Sequence, residues 1–132
     1  MKNLQTFEEF LNENVNEGLW VASDIIGTVI KIGNLEIAEF DLNKIDGVSL
    51  TLPKAQSLVK KLGKGWRIPT REELNILHQN VSVLSNIKTN DFYMSSETFG
   101  SKYVWVQNLG NGKEEYFTSG SQAYLVRPVK TI

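Results

Sequence analysis

Six side chains in the last third of the chain combine aromatic faces with amide edges: Tyr93, Trp105, Gln107, Asn108, Asn111 and Tyr116. A ring supplies a large rigid apolar surface, and an amide supplies both donors and an acceptor. That mixture suits recognition of a protein or a glycan without covalent chemistry. Residues for covalent chemistry are sparse. The absence of cysteine excludes disulfides, thiolate zinc sites and thiol nucleophiles. His78 is the single histidine, so a multi-histidine metal site is excluded too. Ser95-Ser96 offers hydroxyls, but no histidine or lysine stands close in sequence to activate them, and hydrogen bonding within a turn is the expected use. Glu114 and Glu115 are strand neighbours that point to opposite faces, so they cannot share acid and base roles. Glu72-Glu73 is a further adjacent acidic pair. Asp41-x-Asn43-x-x-Asp46-Gly47 approximates a calcium loop. Its second acid falls one place late, and Leu52 stands where the bidentate glutamate belongs, so it reads as a turn. The expectation is a non-enzyme with no metal and no cofactor. A catalytic alternative requires a pocket where Glu97, Arg67 and serine hydroxyls converge.

The chain that must position these groups has 132 residues, the size of one domain with its own core. A hydrophobic share of 41% with 22% charged residues is globular rather than disordered. No run approaches the roughly 18 apolar residues of a membrane span, and no apolar stretch follows Lys2 as in a secretory signal. The chain is thus expected in the cytoplasm where it is made, or in a particle that leaves by another route. A net charge of −1 gives no field for a phosphate backbone, so nucleic acid is not an expected partner, and neither is a membrane. The charge is uneven. Residues 1–18 hold one lysine against four glutamates, whereas the rest is slightly basic. Two pieces are expected: a segment over 1–18 and a domain over 19–132.

Elements follow from patterning. Thr6 and Glu9 fit a capping box, with Phe7, Phe10 and Leu11 on one helical face up to about Val15. Residues 29–32, Gly33-Asn34 and 35–40 read as a hairpin, and Asp46-Gly47 as a turn. Ala55, Leu58, Val59 and Leu62 recur at helical spacing, with Lys60 and Lys61 in the last turn and Gly63 as cap. A second helix begins at Thr70, with a capping box to Glu73 and with Leu74 and Leu77 facing inward. Strands are expected over 92–94, 103–109, 114–118 and 124–129, with Asn111-Gly112 as a hairpin turn. Helices followed by runs of strands indicate α+β.

Gly65-Trp66-Arg67-Ile68-Pro69-Thr70-Arg71-Glu72-Glu73-Leu74 resembles the G-W-R-L-P-T-x-x-E-L motif of the bacterial collagen-like-protein C-terminal (Lcl-type) domain family, within the C-type-lectin-like group. Tyr93-Met94-Ser95-Ser96-Glu97 is similar to that family's Y-W-S-S-T. The blocks Val104–Asn108 with Gly110 and Gly112, and Tyr124–Val129, look like its later strands. The resemblance spans about residues 50–130. It implies two helices packed on a mainly antiparallel sheet whose first and last strands pair. The expected binding residues are Tyr93, Trp105, Gln107, Asn108, Asn111 and Tyr116, near the loop face. Trp66, Arg67, Pro69, Thr70, Glu73 and Arg127 have structural readings: a core indole, ion pairs and a helix start. Formylglycine-generating enzymes of this group work through cysteines, and true C-type lectins bind calcium through motifs absent here. Neither activity carries over.

The segment before Glu13 resembles the targeting leaders of proteins packaged into tailed-phage proheads, with Leu11-Asn12-Glu13 matching the L-x-E cleavage site. This implies a virion-associated protein, targeted to the capsid or decorating it, with a capsid or other virion component as partner. The alternative is a cytoplasmic bacterial binding module or assembly subunit. The oligomeric state is left open.

Overall fold

The computed structural model describes residues 20–45, 50–119 and 124–132. The capped segment over 1–18, its Leu11–Glu13 site and the Asp46-Gly47 turn lie outside the described residues. The remainder is α+β, with two antiparallel three-stranded sheets.

After a single helical turn, α1 (Ser23–Ile26), β1 (Ile30–Ile32) and β2 (Leu35–Ile37) form the hairpin expected from Gly33-Asn34. Gly33 has φ +59°, a conformation that glycine adopts without a Cβ penalty. β2 ends earlier than its alternation suggests. Ala38 N–H donates to Pro128 O, and Glu39 and Phe40 donate to Ile26 and Ile25 carbonyls, so tertiary bonds replace the ladder.

The last strand, β6 (Val129–Thr131), pairs with β2 and leaves β1 on the outside: the order is β1-β2-β6. The expectation that the opening strand lies directly beside the closing one is therefore off by one strand. The closing strand itself begins later than residue 124. Pro128 has no N–H to give a ladder. Residues 124–125 instead make single bridges, Tyr124 to Leu50 and Leu125 to Tyr93.

The second sheet is β3 (Phe92–Phe99), β4 (Tyr103–Asn108) and β5 (Glu114–Thr118), in that order. β3 is longer than its three-residue sequence signal. Met94 pairs with Val106 and Thr98 with Val104, so a bulge at residues 95–97 lies opposite Trp105 alone. The β4–β5 hairpin turns at Asn111-Gly112, as expected. Asn108 Oδ1 accepts from the N–H groups of Gly110 and Asn111 at 2.8 and 3.1 Å.

Two helices lie between β2 and β3: α2 (Leu52–Val59), extended by a 3-10 turn to Leu62, and α3 (Arg71–Gln79). Each closes its own core. Leu52, Ala55, Leu58, Val59 and Leu62 of α2 pack with Trp66, Ile68, Met94, Val104, Val106 and Val126. Leu74 and Leu77 of α3 pack with Leu35, Ile37, Tyr93, Leu109, Leu125 and Val129. The helices thus serve two small sheets rather than one large one. Among the described residues, no helix is long and apolar enough to cross a membrane.

A buried polar knot ties the ends of the domain together. Arg127, 1% exposed, donates through Nε to Asp41 Oδ1 at 2.9 Å. Its Nη1 reaches Ala38 O and Ser85 O, and its Nη2 reaches Asn86 O. Tyr93 donates its hydroxyl to Asp41 Oδ2 at 2.9 Å and accepts from Lys88 N–H. Nearby, Asn43 donates to Tyr124 O and accepts from Val126 N–H. Asp41 and Asn43, which sequence spacing reads as turn residues, are therefore core polar groups. Burial pushes the Asp41 carboxyl above its usual range, against the pull of the Arg127 cation. Burial also raises the Tyr93 phenol.

Candidate functional site

The Trp66–Leu74 segment sets the site's frame. Trp66 is 9% exposed and belongs to the larger core. Arg67 makes a bidentate pair with Glu73, at 2.6 and 2.8 Å, and also donates to Thr131 Oγ1. Glu73 is simultaneously the N3 residue of a complete capping box: its Oε1 accepts from Thr70 N–H, and Thr70 Oγ1 accepts from Glu73 N–H. The Arg67 hydrogen bonds, with the capping contacts, hold the Glu73 carboxyl below its usual range. Through Arg67, this one carboxylate links the helix start to β6. Trp66 thus lies in the core, Arg67 in an ion pair, and Thr70 and Glu73 at the helix start.

The bulge in β3 docks on that helix start. Ser96 N–H donates to Pro69 O, and Glu97 Oε2 accepts from Arg71 N–H at 2.9 Å. Ser95 is fully buried, and its Oγ bonds only to the backbone of Glu97, the turn role expected for it. Glu97 and Arg67 do not converge: each is committed to a different partner. Ser96 and Arg67 do share the rim of a hollow of about 560 Å³ whose walls include Val59, Trp66 and Ile68. His78 Nδ1 lies 2.7 Å from Leu109 O and so serves the β4–β5 hairpin.

Strand alternation divides the outer face of the second sheet. Tyr93, Gln107 and Glu114 align at one end, and Phe99, Tyr103, Trp105, Tyr116 and Thr118 at the other. α3 covers the first end. There Tyr93 is 0% and Gln107 2% exposed, and Gln107 Nε2 bonds Gly112 O and Asn75 Oδ1. Both residues were expected at the binding surface, and both are interior. Tyr93 belongs to the Asp41–Arg127 knot, and Gln107 braces α3 against the hairpin. Asn108 is spent on the hairpin turn, and exposed Asn111 accepts from Lys113 N–H. Neither lies in the group of rings.

The uncovered end carries the aromatic cluster. Phe99 is 49%, Tyr103 37% and Tyr116 45% exposed. Tyr116 is the hub: its ring centroid lies 4.7 Å from Phe99, 5.1 Å from Trp105 and 5.6 Å from Tyr103. Arg71 closes one side of it. Its guanidinium stands 3.7 Å over the Trp105 ring and pairs with Glu114 at 3.0 Å. Next to this pair, Arg71, Glu72, Asn75, Glu97 and Glu114 line a groove of about 390 Å³. Of the six residues expected to bind, Trp105 and Tyr116 are therefore brought together. Phe99, Tyr103, Arg71 and Glu97 join them without having been singled out as binding residues. Alternation along 103–109 puts Tyr103 on the Trp105 side and was a usable signal for it. Alternation from Tyr93 puts Phe99 on that face as well, and the bulge, which the sequence does not announce, sets it opposite Tyr103.

No protein-family model matches the chain, and no curated protein matches it in sequence.

Proposed function

We propose that this chain is a non-catalytic binding module of C-type-lectin-like, Lcl-type architecture that holds a protein or glycan partner on its aromatic face. The observation that carries the reading is the group of four rings on an uncovered sheet end, three of them more than one-third exposed. Large exposed aromatics grouped on one surface are a recurrent feature of recognition sites. A catalytic reading requires Glu97, Arg67 and serine hydroxyls to converge, whereas the Ser95 hydroxyl is engaged with backbone, Arg67 pairs with Glu73, and Glu97 receives the Arg71 backbone N–H. This favours binding over catalysis.

The setting we propose is a tailed-phage particle, to which the acidic segment over 1–18 delivers the domain. Support comes from the capped, L-x-E-containing pattern of that segment. Mass spectrometry of particles purified from the phage that encodes the chain tests this. We expect the chain to be present, with Asn14 as its mature N-terminus. Its absence from particles refutes the virion setting. The binding reading is tested separately by crosslinking the full chain to particle components. The substitution Tyr116→Ala should abolish the crosslinks, and unchanged crosslinking refutes the aromatic face as the surface.

A further inference from the structure

The groove beside the rings has a sign. Glu72, Glu97 and Glu114 face a single guanidinium, that of Arg71, which is already paired with Glu114. Among the described residues, Glu72 and Glu97 have no ion pair; Glu97 receives only the Arg71 backbone N–H. Asn75, on the same groove, accepts from Gln107 Nε2 through its Oδ1. The surplus is of acceptors, and a ligand that complements it brings donors and positive charge.

The rings argue against a stacked sugar. A pyranose needs one flat, open aromatic face. Arg71 covers a face of Trp105, while Phe99 and Tyr116 meet that indole edge-on, with interplanar angles of 70° and 71°. The result is an uneven apolar mound bordered by carboxylates. Arg71 also displays what this surface holds well: a guanidinium clasped between a carboxylate and an indole.

We infer that the partner is a protein, and that it docks a basic segment here, with a lysine or arginine side chain seated at Glu72 and Glu97 and an adjacent apolar side chain resting on Phe99 and Tyr116. This rests on the aromatic-face reading and sharpens it by charge. The test uses the isotope-labelled full chain titrated with three probes: acetyl-Leu-Arg-Leu-Arg-Leu-amide, its Leu-Glu counterpart, and a neutral tetrasaccharide of N-acetylglucosamine. The basic peptide should shift the signals of Glu97, Tyr103, Tyr116 and the Trp105 indole, and added salt should weaken it. Substituting Glu72→Gln with Glu97→Gln should weaken it roughly fivefold or more. Glutamine at 97 still accepts from Arg71 N–H, so the helix start survives. Equal binding of the acidic peptide, or no effect of the double substitution, overturns the inference. Shifts by the tetrasaccharide but not the basic peptide overturn it while leaving the aromatic face as the binding surface. If no probe moves the ring signals, both readings fall.

Discussion

Replacing Arg127 by methionine should be among the most damaging single changes in the domain. Methionine roughly fills the space of the stem, so little cavity is created and the loss is electrostatic. Four hydrogen bonds disappear: one to Asp41 and one each to the carbonyls of Ala38, Ser85 and Asn86. Asp41 is left 7% exposed, with the Tyr93 hydroxyl as its side-chain partner. Breaking a buried pair from one side costs about 3–5 kcal/mol, because the surviving charge is stranded. The buried Ala38 carbonyl loses its partner as well, which adds to that cost, whereas the part-buried Ser85 and Asn86 carbonyls can turn to water. A domain of this size has about 5–15 kcal/mol in total, so the variant should be near its folding limit. Urea unfolding followed by tryptophan fluorescence measures this. The companion Arg127→Met, Asp41→Asn removes the stranded charge and should recover about 1–3 kcal/mol. A pH series adds a check of sign. Without Arg127, the folded Asp41 carboxyl titrates further above its unfolded value. The penalty is therefore full above that raised pKa and fades as the pH falls through it. A loss below about 1 kcal/mol, or no recovery in the double variant, would refute the account of Arg127 as the tie between residues 38–41 and the 124–129 segment.

Trp66→Ala should cost about 3–5 kcal/mol, since the indole sits in the larger core; equilibrium denaturation checks it, and a loss typical of surface sites would show the ring is dispensable. Glu73 works in the opposite pH direction from Asp41. Its folded pKa lies below the ordinary 4.5, so its contribution is complete above that value and is lost as the pH falls. Glu73→Gln should therefore be clearly less stable than the parent at neutral pH, with the gap narrowing as the pH falls below the ordinary 4.5 in thermal melts at stepped pH.

Local signals were the readable part of the sequence. The Thr70–Glu73 capping box, the Gly33-Asn34 hairpin and the Asn111-Gly112 turn each depend on residues within a few places of one another, and all three form. The stripe Ala55-Leu58-Val59-Leu62 correctly marks the buried side of α2. What depends on distant chain was hidden. Asp41 and Asn43 have the composition of a turn, and distant partners make them core residues: Tyr93, and more than eighty places later Tyr124, Val126 and Arg127. Tyr93 and Gln107 look like surface recognition residues because nothing local states that α3 will lie over that end of the sheet. Trp105 and Tyr116 escape the same fate because α3 stops short of them. The site was therefore half legible: its rings by composition and alternation, its charged border only through the packing of the bulge against the helix start.

The tie between residues 38–43 and 126–128 also has a consequence in time. A chain made from its N-terminus offers Ala38, Asp41 and Asn43 to solvent long before their partners exist, since those bonds span 81 to 89 residues. Hairpins and helices can form as they emerge, but neither core can close until residues 124–129 leave the ribosome. Contacts of such separation slow the search for the native state, and in the interval the exposed rings and unpaired edges are open to wrong association. Newly synthesised copies are thus most vulnerable before residues 124–131 emerge, and deletion of that segment would leave a chain able to make its pieces but not to assemble them.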